Sequence, residues 1–582
     1  MIRLRSHISI LCLLLVFSTF AFSQQLIKPA SEKEQEAERQ AFEMLDSIAE
    51  SIPGLLSSDN RIHLTAAVAE MLWSKDEKRA RSLFESLTKE VSTVMASLDP
   101  TEQRSLNAIG VIQQHRREIV ERIARRDPEM SLAFLRGTRP PAGMTSQNND
   151  YLSEANLELY LVGLIAQKDP EQALQMARAS LRRGVTYSLV SVLFNIASKN
   201  PDAARTLHVE IVDKLKSADL INNNDLANSA WNLLGAFQPP QANEDAHRSL
   251  VELLASAVLS VKPNVHSGNS VIHNFSNQVP AQMAQFQKYA PARVNALKQW
   301  SQQTKRTMDP GSRMYQELNE VTQKGTLEDI LALAGKYGPE HHLQIYQQAA
   351  NKASSSGDPN RARQIIMEFV PDGPQRRQML EQLDNQLFWS SVTENKVAEA
   401  RQALDRIKSV EQRFQLLLGL ATNLINRGEK KQATSLLSEA TALLDTMPGN
   451  SSKVTAQLQL AQCYSSLDSQ QSVAILQSVI ALANQLVAAA AVLDGFENSY
   501  LKEGEWMKRG YTNLGSMVNN IQQNLGTLAR VDAEGARSLS NQLERPEIRL
   551  MAQLEIVRSM LSRGSGGSNF SRIVNSYPLR RH

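Results

Sequence analysis

Apolar residues in this chain recur three and four positions apart along short runs, and the runs come in pairs. The clearest pair spans 412–445, QRFQLLLGLATNLINRGEKKQATSLLSEATALLD. Leu417, Leu420, Ala421 and Leu424 fall on one helical face, Asn426-Arg427-Gly428 marks a tight turn, and Ala433, Leu437 and Ala440 line a second face. Neither helix buries its stripe alone, so the unit has to stack on copies of itself. Matching positions recur over 62–91 (Leu64, Ala67, Val68, Met71, Ala80, Phe84, Leu87) and over 344–369 (Tyr346, Ala349, Ala350, Ala353, Gly357, Ala362, Ile366). The pattern predicts an all-α fold, an α-solenoid of degenerate helix pairs.

Punctuation between the stripes supports this. An acid or amide, three residues, then Ala-Arg recurs at Asp76–Arg81, Asn200–Arg205, Asp358–Arg363 and Asp532–Arg537, with looser forms at Asp127-Pro-Glu, Asp169-Pro-Glu and Lys396–Arg401. Asp or Asn caps a second helix, and proline is tolerated at its first position because the missing N–H would be unpaired anyway. The small residue one turn in (80, 131, 173, 204, 362, 400, 433 and 474) is expected where paired helices approach closely. Ser31 with Glu34 predicts a capping box for an opening helix whose face is Ala37, Ala41, Leu45 and Ile48, stopped by Pro53-Gly54.

The rhythm divides the chain into a leader (1–23), an N-terminal array (24–238), an irregular but mostly helical middle segment (239–320), a second array (321–563) and a flexible tail (564–582). Within the middle segment, 256–312 is rich in Pro, Asn and Ser and fits paired helices poorly.

With its seven positions in place, the 412–445 unit resembles a tetratricopeptide repeat, whose period is about 34 residues. Leu417 and Leu424 stand where that repeat's first helix usually carries tryptophan and other aromatics. The stretch 280–561, with KYAPARVNAL, GTLEDILALA, GDPNRARQII and ERPEIRLMAQ, is similar to a set of secreted bacterial helical-repeat proteins. The first resemblance implies protein or peptide binding in a superhelical groove. The second implies no activity and no site residues.

Arg3 and Arg5, the apolar run Ile8–Phe22 and the small residues of Ala21-Phe22-Ser23 form a secretory signal pattern, cut ahead of Gln24. The expected compartment is secreted or periplasmic. The nearest later apolar run, Leu486–Leu493, is too short to span a membrane, so no transmembrane segment is expected after cleavage. Cleavage takes two arginines from 63 Lys and Arg, leaving 61 against 60 Asp and Glu, and a net charge near +1 offers no field for nucleic acid. Only Cys463 survives it, so no disulfide forms within the chain, and burial of that thiol is expected.

Signs of chemistry are sparse. Glu340-His341-His342 lacks the i, i+3 or i+4 spacing of helical metal ligands and fits the first turn of a helix. Asn222-Asn-Asn-Asp225 lacks the glycine and distal Glu of a calcium loop and fits a cap. No GxSxG, HExxH, Walker or GxGxxG sequence is present. The residues predict no cofactor, no metal and no catalytic site, and point to a scaffold for a protein or peptide partner. The competing expectation is an enzyme with its site in the irregular middle or between the arrays. One stretch stands out as a partner site: GFENSYLKEGEWMKRGY (495–511) gathers Phe496, Tyr500, Trp506 and Tyr511 among three glycines in a chain only 5% aromatic.

Overall fold

The computed structural model describes residues 32–98, 103–140, 154–262, 270–307, 310–497, 500–507 and 512–562. The leader, Ser31 of the expected capping box, Tyr511 and the tail lie outside them. The described residues form 27 α-helices, short 3-10 turns and one two-stranded hairpin, Leu501–Lys502 with Glu505–Trp506. The fold is all-α, a succession of tetratricopeptide-like helix pairs.

The caps follow the sequence closely. Asp76, Asp127, Asp169, Asn200, Asp358 and Asp532 each accept a hydrogen bond from the backbone N–H three residues on. Four residues past each cap, Ala80, Ser131, Ala173, Ala204, Ala362 and Ala536 are fully buried. The cap therefore fixes the register of the close approach as well as the helix start. One position was misaligned: Asp468 caps through Gln471 N–H, which puts the buried small residue at Ser472, while Ala474 is exposed.

The 412–445 unit becomes Val410–Asn426 and Lys430–Thr446, with Leu417, Ala421, Leu424, Ala433, Leu437 and Ala440 fully buried. Between them Gly428 has φ +81°, and Glu429 N–H reaches Leu424 C=O at 2.9 Å. This six-to-one bond ends the helix and needs a left-handed residue, which glycine supplies without strain. The same bond recurs from Asp358 to Ala353 and from Lys396 to Ser391.

The chain forms two compact units. One comprises residues up to Gly54, Tyr464–Leu501 and Lys508 onward; the other comprises Leu55–Cys463 and Lys502–Met507. In the first, the opening helix Glu32–Ser51 packs against the last described helix, Pro546–Leu561. Ala41, Leu45 and Ile48, with Phe42, form its buried stripe, and Ile556 and Val557 are fully buried on the partner helix.

The stretch 256–312 is helical where described: Glu244–Ser260, Ser270–Ala281, Met283–Tyr289, Val294–Thr307 and Pro310–Lys324. Pro280 sits inside its helix, in the final turn, and Pro291 opens a 3-10 turn, where its missing N–H costs nothing. Trp231 anchors this region, edge-on to Phe275 (5.9 Å) and Phe286 (6.1 Å). One expectation is corrected, on membrane spans. The helix Ser469–Glu497 continues well beyond the short run 486–493, and Ser469–Phe496 is long and apolar enough to cross a membrane. Its first charged residue is Asp494. Val479, Ile480, Ala483, Val487 and Ala490 are buried on one face, while Leu486, Val492, Leu493 and Phe496 are exposed.

Cys463 is half-buried rather than fully buried. Its Sγ lies 3.6 Å from Thr422 Oγ1, and burial pushes the thiol up, away from the nucleophilic range.

The second unit also buries two histidines. His208 is inaccessible, with neither ring nitrogen hydrogen-bonded, stacked on His247 (centroids 6.5 Å) and tilted against Phe237. Burial first, then His247, holds its pKa down at about 4. His247, facing Tyr289, Gln285, Lys288 and Glu244, is lowered chiefly by burial. Below pH 6.5 the unfolded chain takes up a proton that folded His208 refuses until about pH 4. Stability is therefore lost as pH falls through that window, by about 3 kcal/mol when the shift is fully expressed. Urea unfolding from pH 7 to pH 4 should show this slope flattened in His208→Leu; an unchanged slope would place the effect elsewhere.

Candidate functional site

The aromatic stretch singled out by the sequence divides between surface and core. The Ser469–Glu497 helix runs through Gly495, so that glycine does not break it, and Phe496 is 88% exposed at its end. Tyr500 is half-buried and its N–H donates to buried Asp494 Oδ1 at 2.6 Å. Glu503 (φ +55°) and Gly504 (φ +81°) then make the two-residue turn of the hairpin, where both central residues need positive φ.

Trp506 is only 3% exposed, so its ring faces the protein interior and offers no surface to a partner. Its neighbour Glu505 explains why. The Glu505 carboxylate accepts from Leu56 N–H (2.6 Å), Ser57 N–H (3.1 Å) and Asn60 Nδ2 (3.0 Å). Ser57 is the N-cap of the helix Ser58–Leu72 and makes no side-chain cap bond, so Glu505 supplies the acceptor from the far end of the chain. Asn60 Nδ2 also donates to Trp506 C=O (3.1 Å), and Lys502 Nζ pairs with Asp59 at 2.9 Å. The hairpin residues 502–507 thus dock onto 55–60 of their own unit. Tyr511 lies outside the described residues.

A cleft that the sequence does not reveal lies elsewhere in the same unit. Three helices, Pro128–Gly137, Glu154–Ile165 and Pro170–Arg183, enclose a cleft of about 310 Å³. Asp127-Pro128 and Asp169-Pro170 start two of them, and both end in arginine, favourable against the negative end of the helix dipole. Those basic last turns converge. Glu158 bridges Arg136 (3.2 Å) and Arg183 (3.0 Å), and Arg139 joins the rim. Burial pushes Glu158 up, but its hydrogen bonds and charge attraction to Arg183 and Arg136 outweigh that and hold it below the usual carboxylate range. The walls are Leu159, Val162, Met176 and Ala179. Three guanidiniums against one carboxylate leave the lining two charges positive. Such a cleft accommodates an anion beside an apolar group.

The remaining sequence candidates are structural. His341 and His342 stand in the first turn of Pro339–Ser355, where His342 Nε2 is 3.1 Å from Tyr337 C=O and both rings meet tyrosines. Asn223 caps the helix Asn224–Ala236. The recurrent arginines pair with acids, Arg81 with Glu77 and Arg205 with Asp202 on their own helices, Arg81 also with Asp127 and Arg363 with Asp384 across helices. No family model and no curated protein matches the chain. Among solved structures it is similar to a circular tandem repeat protein of novel repeat topology (12% identity, 91% of this chain and 97% of that one, TM-score 0.13). It is also similar to a homology model of the full-length AP-3 complex (11%, 94% and 95%, TM-score 0.22) and to the Cut9–Hcn1 hetero-tetramer of APC/C (12%, 91% and 98%, TM-score 0.16). At scores this low none of them says what this chain binds.

Proposed function

We propose that the chain is a secreted or periplasmic bacterial scaffold that binds a protein partner without catalysis, taking an acidic, partly apolar peptide segment in the cleft at Arg136, Arg139 and Arg183. One observation carries the reading: two arginines share a single glutamate, with a third arginine on the rim, over an apolar wall in a groove formed by consecutive helices. Compartment and origin rest on the basic and apolar leader pattern and on the resemblance to secreted bacterial repeat proteins. A random-peptide library displayed against residues 24–582 should enrich Asp or Glu beside Leu, Ile, Met or Phe. Arg136→Gln with Arg183→Gln, both on exposed side chains, should weaken the enriched peptides about tenfold or more, as loss of charge-assisted pairs predicts, with the helical spectrum retained. Enrichment of peptides without acids, or full affinity in the double variant, overturns the cleft as the site.

A further inference from the structure

Three potential metal ligands meet in a part of the molecule that the peptide-binding proposal does not use. His63 lies on the helix Ser58–Leu72, and His115 and Glu118 lie on the helix Gln103–Ala124. His115-Arg-Arg-Glu118 places imidazole and carboxylate three residues apart, on one helical face. His63 is buried and comes from the neighbouring helix to complete the set. One ligand atom from each of the three residues lies within 4.8 Å of the others. His63 Nδ1 is 3.6 Å from Glu118 Oε2, and Gln114 Nε2 donates to Glu118 Oε1 at 3.3 Å.

We propose that His63, His115 and Glu118 bind a divalent transition metal of the zinc class. Two imidazoles with one carboxylate form a donor set suited to zinc and its neighbours rather than to magnesium or calcium, which prefer oxygen. A tetrahedral ion with bonds of about 2.0–2.1 Å holds its ligand atoms about 3.3 Å apart. Closing from 4.8 Å or less requires only side-chain rotation, and the partly exposed His115 and Glu118 are placed to make it. Three protein ligands leave the fourth position for water or for a side chain of a partner. The ion would add a second polar tie between two helices that Arg122 and Glu70 already bridge. The first of these is the helix whose start is capped by Glu505, with Asp59 and its buried, unpaired Oδ1 one turn before His63.

The test uses the tag-free mature chain, stripped with a chelator and titrated with zinc. Calorimetry should give one zinc per chain, and melting temperature should rise with zinc because the ion binds the folded state alone. Cobalt should give the visible absorption of a tetrahedral site. His115→Ala and Glu118→Gln alter partly exposed side chains and should preserve the helical spectrum, while each weakens zinc about tenfold or more. Absence of a zinc-dependent shift in the wild type, or wild-type affinity in both variants, overturns the proposal. Should His63→Ala fail to fold, the other two variants decide the matter.

Discussion

Replacing Trp506 with alanine is expected to lower stability by about 3–5 kcal/mol, the range for truncating a buried aromatic ring. A ring that contacted a separate partner would leave the melting temperature unchanged, and the sequence leaves that outcome open beside a ring that anchors the loop on its own array. Burial of Trp506 beside a carboxylate that caps another helix favours anchoring. Loss of the ring leaves a cavity and loosens the peptide that carries both Glu505 and the carbonyl held by Asn60. Glu505→Gln should destabilise less than loss of the ring: its one amide oxygen can keep Ser57 N–H and Asn60 Nδ2, while its NH2 is set against Leu56 N–H. Chemical unfolding of the three proteins checks the order; Trp506→Ala melting like the wild type would return the ring to the surface.

Arg116→Met should be comparably damaging. Arg116 is 1% exposed, and its guanidinium divides three ways: Nε to Thr138 Oγ1 (2.9 Å), Nη2 to Leu135 C=O (2.9 Å) and Nη1 to Glu154. It ties the helix Gln103–Ala124 to the end of Pro128–Gly137 and the start of Glu154–Ile165, two of the helices that form the arginine cleft. Removing it strands Glu154 and two acceptors, at a cost of about 3–5 kcal/mol. Adding Glu154→Gln removes the stranded charge and should recover part of that loss. If the double variant is no more stable than the single, the pair contributes packing rather than charge balance. Because Arg136 and Glu158 ride on the same helices, peptide binding should weaken along with stability here.

What the sequence discloses about this molecule is local. Asp76, Asp127 and Asn200 act on the N–H three residues away, so cap, start and close approach are legible from residue type and spacing. Gly428 is legible for the same reason. In the middle segment the pairing of helices is less legible, because Pro280 falls inside the last turn of one helix and Pro291 opens a 3-10 turn. The cleft was obscured because Arg136, Arg139, Glu158 and Arg183 belong to three helices, and no spacing along the chain brings them together. His63 is separated from His115 in the same way, although the His115–Glu118 spacing was available as a signal. The aromatic excursion was legible as an excursion. Its docking surface was not, because an acid beside a tryptophan looks the same whether it faces another protein or residue 57 of its own.

That last contact sets an order of events during synthesis. Glu505 and the Leu56 N–H it receives are 449 residues apart, and the opening helix finds Pro546–Leu561 only when the chain is nearly finished. A ribosome releases the amphipathic Glu32–Ser51 segment first and its apolar partner last. Closing so long a loop adds little to the equilibrium cost, since the entropy grows only with the logarithm of length. In time, however, the delay is the whole of translation, during which Leu45 and Ile48 have no native cover. The helix Glu32–Ser51 thus lacks its native cover until Pro546–Leu561 is made, and a nascent chain stalled before residue 505 would expose both this stripe and the uncapped start of Ser58–Leu72.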